Sequence, residues 1–147
     1  MAGLLCSLVP SGGVSFTSGT AKTGIILTAP ANHRLIITQF GASTTLASPT
    51  VAPGEMVVYR ATTTGAFTAL SPKLLCAGGE SPLASGGYNA TVEPTVGDIL
   101  KVLRVDRGYF EARPLDKPIV VPGGGRIAIK FTFSVGILIV PFIEYEE

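Results

Sequence analysis

The chain has 147 residues and a formal net charge of +1, with eleven lysines and arginines against ten acids. A balance this even offers no basic field for nucleic acid and no acidic field for a cationic partner. Charged residues make up only 14% of the chain, against roughly 25% in ordinary soluble domains, and mean hydropathy is +0.47, yet no apolar run reaches the roughly 18–20 residues that would span a bilayer. One domain is expected, of a kind that shelters apolar surface in an assembly.

Residues 1–23 are rich in Gly, Ser and Thr around the short apolar piece Leu4–Val9, and read as an N-terminal arm or edge strand ahead of a single domain over 24–147. They lack the positive n-region and apolar length of a secretory leader, so the chain is expected to stay in the cytoplasm where it is made, or to leave by lysis. Gly24–Thr28 reads as a short strand. Ala29–Asn32 turns the chain into a second strand over His33–Gly41. Residues 42–54 form a polar loop, followed by a strand over Glu55–Ala61. Thr62–Gly65 reads as a hairpin connection to a returning strand over Ala66–Leu70. Residues 71–97 hold much of the glycine and proline and read as one long irregular stretch, the natural place for a functional loop.

Asp98–Asp106 resumes strand structure. Ile99, Leu100, Val102 and Leu103 also fit a helical spacing, but the β-branched content and the turn at Arg107-Gly108 into Tyr109–Ala112 favour strand. From Arg126 to Val135 the alternation is unbroken: Ile127, Ile129, Phe131, Phe133 and Val135 point one way, and Arg126, Ala128, Lys130, Thr132 and Ser134 the other. After Gly136 the run Ile137–Val140 needs cover on both faces. Pro141 removes a ladder donor and predicts an edge or a bulge. With eight or nine short strands and no sustained helical period, the chain reads as all-β, an antiparallel β-sandwich or barrel.

No stretch spells out catalysis, and a chain without enzyme activity, cofactor or metal is the expectation. His33, the sole histidine, opens a strand beside Arg34. Cys6 and Cys76 lack metal-ligand spacing and read as structural thiols, with a Cys6–Cys76 disulfide as the alternative. Gly123-Gly124-Gly125 lacks the lysine and hydroxyl of a phosphate loop and precedes a strand. Glu93 with Asp98, and Asp106 with Glu111, read as solvated loop acids before they read as a glycosidase pair. Contacts are the more useful constellation. Tyr88, Tyr109 and Phe110 stand beside turns, where a large ring is not automatically core. Arg104, Arg107 and Arg113 alternate with Asp106, Glu111 and Asp116, and Tyr145 lies among the terminal acids; these are the candidate interface residues, since aromatics and arginine are enriched at interfaces.

Pro30-Ala31-Asn32-His33-Arg34-Leu35-Ile36-Ile37 aligns without gaps on Pro122-Gly123-Gly124-Gly125-Arg126-Ile127-Ala128-Ile129, a turn feeding a strand in both cases. With these entries and the ending GGRIAIKFTF…FIEYEE, the chain resembles the small jelly-roll proteins of tailed-bacteriophage particles, the head decoration (cement) proteins and related minor structural proteins. The resemblance implies a jelly-roll sandwich that sits on the virion's capsid surface as a homo-oligomer, commonly a trimer, and bridges subunits of the major capsid protein or other virion proteins. It implies neither nucleic acid nor membrane as partner. A tail or neck protein and a carbohydrate- or receptor-binding module are the alternatives; with no tryptophan and four tyrosines, the aromatic platform for a sugar is thin.

Overall fold

A computed structural model of the chain describes residues 3–44, 54–76, 78–105 and 111–147. Among them there is no helix. Twelve strands run in order as β1 (Leu5–Leu8), β2 (Val14–Phe16), β3 (Lys22–Thr28), β4 (Leu35–Thr44), β5 (Gly54–Ala61), β6 (Ala66–Leu70), β7 (Lys73–Leu74), β8 (Ser85–Val92), β9 (Val96–Val105), β10 (Glu111–Val121), β11 (Arg126–Thr132) and β12 (Ile137–Glu146). They form two antiparallel sheets. The first has the order β10-β4-β12-β1-β7, with β2 also on β12; the second has the order β6-β8-β3-β11-β5-β9. One core cluster draws on both sheets, an arrangement consistent with a β-sandwich.

The alternation read over residues 126–135 holds in the core. Ile127, Ile129, Phe131 and Phe133 are all buried, although the ladder of β11 stops at Thr132. Phe131 and Phe133 stack at 6.0 Å, and Phe16 meets both edge-on, at 5.4 Å and 5.6 Å. Two glycines make room for these rings: a Cβ on Gly24 would lie 3.0 Å from the Phe131 ring, and one on Gly54 would overlap Phe133.

Several expectations are corrected. Residues 3–23 are no free arm: β1 is interior, between β12 and β7, β2 pairs with β12 alone as an edge strand does, and Cys6, Leu8, Val14 and Phe16 belong to the core. Thr62–Gly65 closes no hairpin, because β6 pairs with β8 while β5 sits between β11 and β9. The segment has no Asn-Gly or Asp-Gly pair to form the tight turn that matches strand twist. The stretch 71–97 is not one loop. Its Ser85–Val92 portion is β8, whose glycines permit close approach: a Cβ on Gly86 would meet Leu8 at 2.5 Å, and one on Gly87 would meet Phe67 at 2.6 Å. β12 is an interior strand, and Pro141 falls where the far side of β12 changes partner, after Ile139 on β2 and before Ile143 on β1. The bulge lies further on, between Glu144 and Tyr145. In β10 the prolines do mark an edge, and pairing with β4 shifts between Pro114 and Ile119.

The two similar turns pack on each other. Gly124 N donates to Pro30 O at 3.1 Å, and Ala29 N donates to Gly125 O at 2.9 Å. A Cβ on Gly123 would lie 2.4 Å from Ala31 O, so glycine is required there. Both cysteines are free thiols, Cys6 buried and Cys76 exposed.

Candidate functional site

The outer face of the second sheet is the part of the surface least like an ordinary monomer's. β9 is its edge strand, and three large apolar side chains stand exposed on it: Val96 at 40%, Ile99 at 59% and Val102 at 55%. A regular strand would put residues three apart on opposite faces. Here the β5–β9 ladder shifts register twice, and the resulting partners are Val57↔Val102, Tyr59↔Ile99 and Ala61↔Val96. Val57, Tyr59 and Ala61 alternate evenly and lie on the outer face, in a small second cluster with Ile26, Ala128 and Phe67. Directly paired residues share a face, so the two bulges bring all three apolar side chains of β9 onto the outer surface as one stripe. The helical spacing visible in the sequence is the trace of those bulges.

Beside the stripe lies a polar cluster. Thr23 is fully buried, and its hydroxyl donates to Glu93 Oε2 at 2.5 Å while its backbone N–H donates to Glu93 Oε1 at 2.8 Å. With that hydroxyl proton committed, the Tyr59 phenol donates to Thr23 Oγ1 at 2.8 Å. Lys130 Nζ lies 3.9 Å from Glu93 Oε2 and 5.5 Å from the centre of the Tyr59 ring. Lys22 donates to Asn89, which holds a positive φ of 57°. Glu93, read from sequence as a solvated loop acid, is exposed in the β8–β9 connection and also clamps that connection onto β3 through Thr23. Proline follows it at Pro94, but the sequence gives no sign of the reach back to Thr23.

Burial pushes the Tyr59 phenol up to about 12, and the nearby Glu93 carboxylate adds to this. A raised folded-state value favours the neutral phenol, so this contribution is complete below the ordinary tyrosine value of about 10 and is lost as pH rises towards 12. The melting temperature should therefore fall steeply between pH 10 and 12, and Tyr59→Phe should flatten that fall; an unchanged slope in the variant would remove Tyr59 as its source.

The structure disperses the residues singled out from sequence. Tyr88 is half-buried on β8, packed against the core and opposite Ile25. Arg104 is exposed on β9 opposite Glu55, near Gly54 and Phe133 in a shallow cleft. Arg113 is on β10 opposite Phe40. Arg107, Tyr109 and Phe110 lie outside the described residues. Tyr145 is not a surface ring: it is fully buried beside Cys6 across the β1–β12 ladder, and burial drives its phenol well above the ordinary tyrosine range. Among the described residues no group of three or more His, Cys, Asp or Glu side chains is placed to hold a metal. On the first sheet's outer face, Val9, Val140 and Phe142 line a second apolar groove of about 290 Å³.

No protein-family model, no curated protein and no solved structure matches the chain.

Proposed function

We propose that this chain is a structural protein of a tailed-bacteriophage particle, a decoration (cement) protein that binds the capsid surface as a homo-oligomer and stabilises the shell without catalysis. The observation that carries the reading is the exposed apolar stripe Val96–Ile99–Val102, three of the nine exposed large hydrophobic side chains among the described residues, brought together on one face of one strand. A solvent-facing patch of this kind is sheltered when the chain is assembled. The groove at Val9, Val140 and Phe142 gives the other sheet a second apolar face, so one surface can meet sister copies while the other meets the shell.

The strand order supports the jelly-roll part of this reading. With β2 and β6–β8 set aside, eight strands remain, and they pair from the outside inwards: β1 with β12, β3 with β11, β4 with β10, and β5 with β9. Those pairs alternate between the first sheet and the second. This is how a long antiparallel ribbon lies when it is rolled into two Greek keys, the form shared by many viral capsid and lectin domains. β6 to β8, inserted between the fourth and fifth strands of the ribbon, extend both sheets on the β1 and β3 side. Fold alone does not assign a role. The resemblance and the two apolar faces point to assembly.

Removal of residues 1–20 does not test attachment, because it strips Leu8, Val14 and Phe16 from the core. The test is add-back. Particles produced without this chain should take up the purified protein at regular positions on the shell, visible by electron microscopy, and should then release their genome at a higher temperature. Bare shells after incubation, or occupancy confined to the tail, would overturn the reading.

A further inference from the structure

We infer that the free edge of β6 is a self-association surface: a second copy of this chain pairs its own β6 there, antiparallel, about a twofold axis at Thr68. The second sheets of the two copies then become one continuous sheet. The inference rests on the homo-oligomer part of the proposed function and adds the strand and the symmetry. Its starting point is that an unguarded edge, with its row of unpaired N–H and C=O groups, is a template for another strand.

Among the described residues the two sheets end at β10, β7, β6 and β9, and β2 pairs with β12 alone. All but β6 are guarded. β10 carries Pro114, Asp116, Lys117 and Pro118 and shifts register. β9 shifts register twice and places Lys101 opposite the core residue Val58. β7 and β2 are only two and three residues long. Prolines, bulges, inward charges and short length are the devices by which an edge refuses a partner. β6, Ala66-Phe67-Thr68-Ala69-Leu70, has no charge and no proline. It pairs on one side, with β8, and its register shift is confined to its start, between Ala66 and Thr68.

The ground beside the edge selects the occupant. Ile26, Gly87 and Ala69 are paired directly across β3, β8 and β6, and so form one row on the outer face. Along it lies a groove of about 230 Å³, lined by Ile26, Phe67, Ala69, Gly86 and Gly87 among others. A strand added to β6 extends the row, and a large apolar side chain opposite Ala69 covers the groove. A twofold axis perpendicular to the sheet keeps outer face beside outer face only when it passes at a residue, and only at Thr68 does it pair all five residues of β6. That register sets Ala69 opposite the partner's Phe67, and Ala66 opposite the partner's Leu70. Thr68 meets its own copy, where the two hydroxyls can share a bond. Large meets small at each flanking pair, no like charges meet, and the chain's own phenylalanine falls where the groove calls for one. The β9 stripe, at the opposite end of the same sheet, stays outside this contact. The result is an even-numbered assembly, which departs from the trimer that the resemblance implies.

The experiment places one cysteine at the axis. Directly opposed side chains of an antiparallel pair lie about 4.5–5.5 Å apart at Cβ, close enough for a disulfide to form with slight adjustment. In a Cys76→Ser background, which removes the exposed native thiol, Thr68→Cys should cross-link to its own copy almost completely under mild oxidation. The uncross-linked parent should have a dimer's mass by light scattering. Val120→Cys, exposed at 43% on the β10 edge of the other sheet, is the control and should stay uncross-linked. Ala69→Lys, at an exposed position that carries no core contact, should halve the mass with an unchanged circular dichroism spectrum. A monomeric or trimeric mass for the parent would overturn the inference, even if the edge then captured a strand of another protein. Equal cross-linking at positions 68 and 120, or a dimer that persists in Ala69→Lys, would overturn it as well. A dimer that fails to occupy shells would leave the strand pairing standing and remove the capsid role instead.

Discussion

Phe131→Ala should destabilise the protein by about 3–5 kcal/mol, read as a shift of the urea midpoint without a change in secondary structure. Phe131 is fully buried on β11, edge-on to Phe16 at 5.4 Å and stacked with Phe133 at 6.0 Å. Its truncation removes contacts on both sides and leaves a space that the neighbours cannot close. Phe16 belongs to β2, Phe133 to the turn after β11, and Gly24 lies against the ring from β3. Phe16 and Gly24 lie in paired strands, and the Phe133 carbonyl accepts a bond from Gly19 N–H at 2.7 Å, so collapse into the gap would require three elements to move together. The value therefore belongs at the upper part of the range seen for buried aromatics. A change below about 1 kcal/mol would show that the aromatic trio is not the mechanical centre of the core.

Residues 126–135 were legible for a specific reason. Their period of two, bounded by Pro122–Gly125 and Gly136, has no competing reading, and burial at every second position follows from the pleat. β8 was hidden because its strand is SGGYNATV, a composition that reads as loop. Gly86 and Gly87 are there because Leu8 and Phe67 come too close for a side chain, a fact about tertiary packing with no local trace. The N-terminal strands were hidden for a related reason: four residues of β1 and three of β2 are too short to show a period, and it is pairing with distant partners, β12 for both and β7 for β1, that makes them strands.

The outer-face stripe was half legible. Ile99, Leu100, Val102 and Leu103 stood out, but their spacing fitted a helix, because two bulges interrupt the alternation a strand would display. Aromatic and arginine content drew attention to Tyr88 and Tyr145, which the fold uses as packing against or within the core. Residue type alone does not separate a ring that faces a partner from a ring that fills a sandwich. Pairing register does, because it assigns the face.

Gly65→Ala should be the most damaging single-methyl change at the surface of the second sheet, at about 2–4 kcal/mol. Gly65 has a φ of +61°, in the left-handed region that costs an L side chain about 1–2 kcal/mol. A Cβ there would also lie 2.5 Å from Val92 O and 2.8 Å from Pro94 N, both backbone atoms that cannot swing away. Those atoms flank Glu93, the residue that receives both bonds from Thr23. Strain at Gly65 is thus delivered to the Glu93 clamp, and the Tyr59 phenol should titrate closer to its ordinary value in the variant, followed by ultraviolet absorbance. Gly124→Ala separates the two contributions: its φ is +73°, but no atom lies within 4 Å of the added methyl group. It should show the backbone penalty alone, about 1–2 kcal/mol, with the Tyr59 titration unmoved. Equal losses from the two variants would mean that the methyl group finds room at Gly65, and that Val92–Pro94 is not the rigid brace that holds Glu93 against β3.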